Sequence, residues 1–192
     1  MGKTLDDWLP TQPLRWTAAF AALYVGLYHL NLLIAPFFDV VPGRVSLLFL
    51  PAFIRVAAIL IAGLAGLAGV VIGSLWISLV VYQEPLVTAV WVSIASSIGI
   101  ALSYLVLRYA YNGKALAFSL PVLMVLATLY CAFNALLHGL AWELLGLAST
   151  ITMRDLALMM IGDFMGVIVM FSVLRLVLRA AKKLGFHTAI GR

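Results

Sequence analysis

The chain has 192 residues, 65% of them hydrophobic and only 10% charged, with a net charge of +5 and a mean hydropathy of +1.16. So few charges exclude a water-soluble globular surface, and basic residues spread along the ends of apolar runs, not clustered in a polar patch, exclude a nucleic-acid-binding face. A single cysteine, Cys131, set in an apolar run, excludes a disulfide framework within the chain and reads as a buried structural thiol.

The N-terminal segment 1–13 carries Lys3, Asp6, Asp7 and Trp8 and lacks the small-residue cleavage site of a signal peptide. It reads as an interfacial segment with Trp8 and Trp16 at headgroup level. A first membrane helix is expected over 14–34, stopping before Pro36, with Tyr24, Tyr28 and Asn31 on one face and His29 beside them. Asp39, Pro42 and Gly43 then mark a surface turn.

The stretch 44–82 organises the rest. It is almost unbroken apolar sequence, interrupted by Pro51, by Arg55 and by glycines at Gly63, Gly66, Gly69 and Gly73. Because about 20 helical residues cross a hydrocarbon core of roughly 30 Å, it reads as two short helices, 45–60 and 64–82, turning back at 61–63. The glycines lack the Lys-Ser or Lys-Thr and the preceding strand of a phosphate loop, so they read as helix-packing positions.

A turn at Gln83, Glu84 and Pro85 leads to a fourth helix over 86–108, where Trp91, Ser93, Ser96, Ser97, Gly99 and Ser103 suit close packing. A fifth helix is expected over 118–145, long enough to tilt or to bend near Pro121 or Gly139, and a sixth over 156–178, followed by a basic tail, 179–192. The fold class is therefore all-α: a polytopic bundle of about six membrane helices over 14–178, with no output domain expected beyond it. Arg108, Lys114, Arg175, Arg179, Lys182, Lys183 and Arg192 outweigh Arg44 and Arg154 on the opposite side. The positive-inside rule then puts both termini in the cytoplasm of a bacterial inner membrane.

Polar residues at membrane depth are the candidates for function. Arg55 is the sharpest, because an arginine there costs roughly 2.5–3.5 kcal/mol on insertion scales unless it finds water or a partner. Asp163, between Gly162 and Gly166 on the last helix, is the matching acid, and an Arg55 to Asp163 pair is expected either to brace the bundle or to bind a charged ligand. On the fifth helix Asn134 and His138 share a face with Tyr130 and Trp142, and Glu143 follows; with Tyr28 and Asn31 they complete the candidate polar core. His29 and His138 lack a four-ligand set, so no metal or cofactor is expected. No nucleophile–base spacing or metal-protease motif points to an enzyme, and no catalytic residue is assigned.

The run Leu48-Phe49-Leu50-Pro51-Ala52-Phe53-Ile54-Arg55-Val56-Ala57-Ala58, with the glycine-rich segment after it, resembles the first block of the membrane-associated sensor domains that precede bacterial histidine kinases and diguanylate cyclases. Ile161-Gly162-Asp163-Phe164-Met165-Gly166-Val167 resembles the late block of that family. The resemblance covers about 45–178 and implies a divergent, standalone six-helix member. In size and helix count the chain is also similar to the substrate-binding subunits of energy-coupling-factor transporters. Two expectations follow: a sensory or accessory module that binds a small ligand or a partner protein and acts through a separate complex, or a small-solute-binding transporter subunit. The bilayer is a partner in both, and nucleic acid in neither.

Overall fold

A computed structural model describes residues 12–41, 45–112, 116, 119–146 and 152–184. Most of the interfacial segment 1–13, and with it Trp8, lies outside the described residues, as do Arg44, Lys114 and Arg192. The chain forms α1 (Pro13–Phe38), a two-stranded antiparallel ribbon of β1 (Asp39–Val41) and β2 (Val45–Ser46), α2 (Pro51–Trp76) running on into a π-helical turn (Ile77–Val81), α3 (Leu86–Ala110), α4 (Leu120–Leu144) and α5 (Met153–Lys183). Among the described residues the result is a helical bundle with five helical segments long and apolar enough to cross a membrane.

The second of these segments, 51–81, is where the expected count of six and the observed count of five meet. Its helix is interrupted at Gly63, which adopts φ 54° and ψ −131°, a conformation open to glycine and strained for other residues. Residues eight apart on an unbroken helix stand about 12 Å apart, yet a Cβ on Gly66 would run into the Ala58 carbonyl oxygen. The chain therefore folds back at Gly63, inside the turn expected at 61–63.

Contacts along α1 show the two arms running in opposite directions. On the first arm Leu50 meets Asn31 and Arg55 meets Tyr24; on the second Gly69 meets Thr17, Gly73 meets Ala21 and Tyr24, and Tyr82 meets Tyr28. The arm 51–62 is about 18 Å long at 1.5 Å per residue, too short to cross the hydrocarbon core by itself. It is buried on every side from Pro51 to Ile59, as a helix apolar all round should be, and forms the centre of the bundle.

This arm starts later than the sequence suggests. A helix was expected from 45, but 45–46 pair with β1 and the next residues run irregularly to Pro51, which takes the first helical turn where its missing N–H is harmless. Irregular backbone inside a membrane bundle survives only when its polar groups find partners. They do: the Leu47 N–H donates to Phe38 O at 2.9 Å, the Phe49 N–H to Gly162 O at 3.1 Å, and the Leu50 N–H to Asn31 Oδ1 at 2.8 Å. The ribbon and this segment are the departures from a purely helical chain.

Glycine on α5 admits the segment. A Cβ at Gly162 would collide with the Ser46 carbonyl oxygen and one at Gly166 with the Phe49 carbonyl oxygen, so the irregular backbone lies directly on the helix there. Elsewhere α3 and α4 pack antiparallel through Gly99 against Asn134, and α4 and α5 through Gly139 against Leu156. α4 starts with Pro121 in its first turn, so this proline opens the helix without bending it. Counting the fold-back, the start of α1 and the end of α5 lie at the same end of the bundle. α5 opens on a capping box, Thr152 accepting from the Asp155 N–H while Asp155 accepts from the Thr152 N–H at 2.7 Å.

Candidate functional site

The short first arm of α2 places Arg55 at the heart of the bundle, 5% exposed, between α1 and α4. Its Nη1 donates to the Tyr130 hydroxyl and its Nη2 to the Tyr24 hydroxyl, each at 2.7 Å. The guanidinium also sits 5.4 Å from the centre of the Tyr24 ring and 5.2 Å from that of Phe49. Two phenol oxygens and two aromatic faces thus surround a cation that lipid could not solvate.

Asp163 is buried on α5, where Asn134 of α4 donates from Nδ2 to its Oδ2 at 2.6 Å. Among the described residues no ion pair joins Arg55 to Asp163 directly. The expected pairing is instead indirect, because the Tyr130 hydroxyl that accepts from Arg55 also interacts with the Asp163 carboxylate. Four side chains from α2, α4 and α5 form one polar chain: Arg55, Tyr130, Asp163 and Asn134.

A second polar group crosses between α3 and α4. Ser96 Oγ and His138 Nε2 stand 2.8 Å apart, and His138 packs against the Trp142 ring at 5.3 Å. Near the opening, the Tyr28 and Tyr82 hydroxyls meet at 2.7 Å. Burial raises the Tyr82 phenol above its ordinary value, so that hydroxyl stays protonated and able to donate.

These groups share one cavity. The volume open to the centres of water-sized molecules is about 100 Å³, and its walls include Tyr24, Tyr28, Asn31, Phe49, Arg55, Ser96, His138, Trp142 and Asp163. A single water needs only about 10–15 Å³ on this measure, so the space is large enough for a small solute. It reaches Asp39 and Glu84, which belong to the end of the bundle opposite the start of α1. Among the described residues the enclosed Nε of Arg55 and Nδ1 of His138 have no hydrogen-bond partner.

The structure brings together most of the polar core expected from sequence. Arg55, Asp163, His138, Tyr28 and Asn31 line the cavity; Asn134 stands behind Asp163 and holds it. Glu143 is the exception. It is exposed on the far face of α4, because it follows Trp142 by one residue and one helical step turns it about 100° away. His29 is exposed on α1, bonded to the Val25 carbonyl of its own helix and with its ring tilted 45° to that of Trp76, and does not approach His138. Among the described residues no group of three or more His, Cys, Asp or Glu is placed to hold a metal ion.

Sequence reasoning undervalued the phenols and one serine. Tyr24 and Tyr130, placed by their spacing on bundle-facing stripes but not assigned to Arg55, solvate it, and Ser96, read as a packing residue, engages His138. The heptad-like spacing of Tyr24, Tyr28 and Asn31 carried the signal for the first of these; nothing local distinguishes Ser96 from the other serines of α3. No family model, no characterised protein and no solved structure matches this chain.

Proposed function

We propose that this polytopic membrane protein binds a small polar solute in the central cavity and acts, without enzymatic chemistry, as a sensory or accessory module for a separate protein complex. The observation that carries the reading is a buried, charged cavity lined by Arg55 and His138, whose Nε and Nδ1 have no hydrogen-bond partner among the described residues. Buried polar groups are normally satisfied, and those that are not tend to serve a ligand or water. An arginine kept at membrane depth is expensive and marks a functional position by default.

Charge supports an orientation for the bundle. Arg15, Arg108, Arg175, Arg179, Lys182 and Lys183 fall at the end that holds the start of α1 and the end of α5, against Arg154 at the other. With both termini cytoplasmic in a bacterial inner membrane, the cavity opens toward the outside. The resemblance to membrane-associated sensor domains supports the signalling role, since its two blocks, 48–58 and 161–167, meet in space where the Phe49 and Leu50 backbone lies on Gly162 and Gly166.

A second reading, a solute-binding transporter subunit, draws on the helix broken at Gly63. Interrupted helices around a site at mid-depth are a recurrent device of transporters. Native mass spectrometry of the protein purified from its own membrane tests the shared core of both readings: a retained small solute supports it, and an empty cavity in every preparation overturns it. Co-purification with a kinase or other output complex without solute flux selects the sensor; uptake that needs a partner ATPase selects the transporter.

A further inference from the structure

The polar atoms inside the cavity describe the solute that fits it. Arg55 uses one proton of Nη1 on Tyr130 and one of Nη2 on Tyr24, and its enclosed Nε–H has no hydrogen-bond partner among the described residues. Ser96 Oγ stands 3.1 Å from the Val92 carbonyl and 2.8 Å from His138 Nε2. The other ring nitrogen, Nδ1, is enclosed and has no hydrogen-bond partner among the described residues, and it accepts or donates according to which nitrogen carries the proton. Asp163 adds a carboxylate to the same wall.

At the depth of Arg55 a guanidinium and one acid, Asp163, line the same cavity, while Asp39 and Glu84 line its outer end. A simple anion drawn to Arg55 also meets Asp163, and a simple cation drawn to Asp163 also meets Arg55, so at that depth much of either attraction cancels. A molecule with both charges meets neither penalty. Its anionic oxygen fits the Arg55 guanidinium, and its protonated nitrogen fits Asp163. The aromatic surfaces of Tyr28 and Trp142 suit an apolar remainder.

We infer that the occupant is a small zwitterion, an ammonium carboxylate of amino-acid size. This rests on the solute-binding reading above and narrows it to one chemical class.

The test uses the full chain in lipid nanodiscs and follows thermal unfolding with each of the common α-amino acids whose side chain is uncharged, and with the N-acetyl derivative and the amide of each. The first derivative keeps only the negative charge and the second only the positive. At least one free amino acid raises the melting temperature, and both of its single-charge derivatives lose that shift. Arg55→Gln and Asp163→Asn each weaken binding of that amino acid about tenfold or more, the scale of one lost charge-assisted hydrogen bond. Because those variants also disturb the bundle, the derivative series on the unaltered chain decides. An N-acetyl derivative or an amide that stabilises as well as its parent overturns the inference, and so does a panel in which no amino acid gives a shift. A neutral or singly charged solute retained in native mass spectrometry alongside such a null panel removes the zwitterion and leaves the solute-binding reading standing; no retained solute removes both.

Discussion

The α3 and α4 pair and the α1, α2 and α5 side of the bundle use the same kinds of residue for opposite ends. On α3, Ser97 and Ser103 bond carbonyls of their own helix, at 3.0 and 2.7 Å, and Gly99 lets Asn134 approach, so small residues there keep two regular helices close. On the other side, Gly162 and Gly166 seat the irregular backbone of 46–50, and Asn31 is spent on a main-chain N–H. A small-xxx-small spacing therefore says that something comes close, and leaves open whether it is a helix or a bare strand of backbone.

The contrast can be broken most sharply at the charge. Arg55→Ala should destabilise the protein by about 3–5 kcal/mol, the usual result of stripping one member from a buried polar network, read as unfolding in detergent micelles. Asp163→Ala should fall in the same range, and replacing both should harm less than the sum, with the coupling reduced in a Tyr130→Phe background that removes the bridging hydroxyl. Additive losses in that cycle would show that Tyr130 does not link the two.

Next come the glycines under the irregular segment. Gly162→Ala or Gly166→Ala forces the Ser46 or Phe49 carbonyl away and should remove about 1–3 kcal/mol or somewhat more, as overpacking does. A change within about 0.5 kcal/mol in the same unfolding assay would mean the segment is loose on α5. Asn31→Ala should cost about 1–3 kcal/mol by leaving the Leu50 N–H buried without an acceptor; faster amide exchange at Leu50 is the direct sign. The smallest effect belongs to α3. Ser97→Ala and Ser103→Ala should stay within about 0.5 kcal/mol, because each removes only a bond to its own helix.

Much of this was legible in the residues. The apolar runs located all the helices, the Gly63 reversal was marked by the glycines themselves, and Arg55 and Asp163 stood out because a charge at that depth demands a reason. Three things were hidden. The irregular path of 45–50 is apolar like a helix, and its hydrogen-bond partners on Phe38, Gly162 and Asn31 are far away in sequence. Tyr130 as a bridge depends on the angle at which α4 meets α2, which spacing along one helix does not encode. Glu143 was grouped with its neighbours by proximity along the chain, and helical rotation separates it from them.

The way the hairpin closes on α5 has a consequence for how the protein is made. During synthesis the arm 51–62 enters the membrane long before 162 and 166 exist, and until then its entry segment lacks the carbonyl that accepts from Phe49 and the helix surface that covers Ser46. Arg55 waits in the same way for Tyr130 and the acid beyond it. Integration of the second segment is thus completed only when the last helix arrives, and a ribosome stalled before α5 leaves a chain whose most buried element has nowhere to settle.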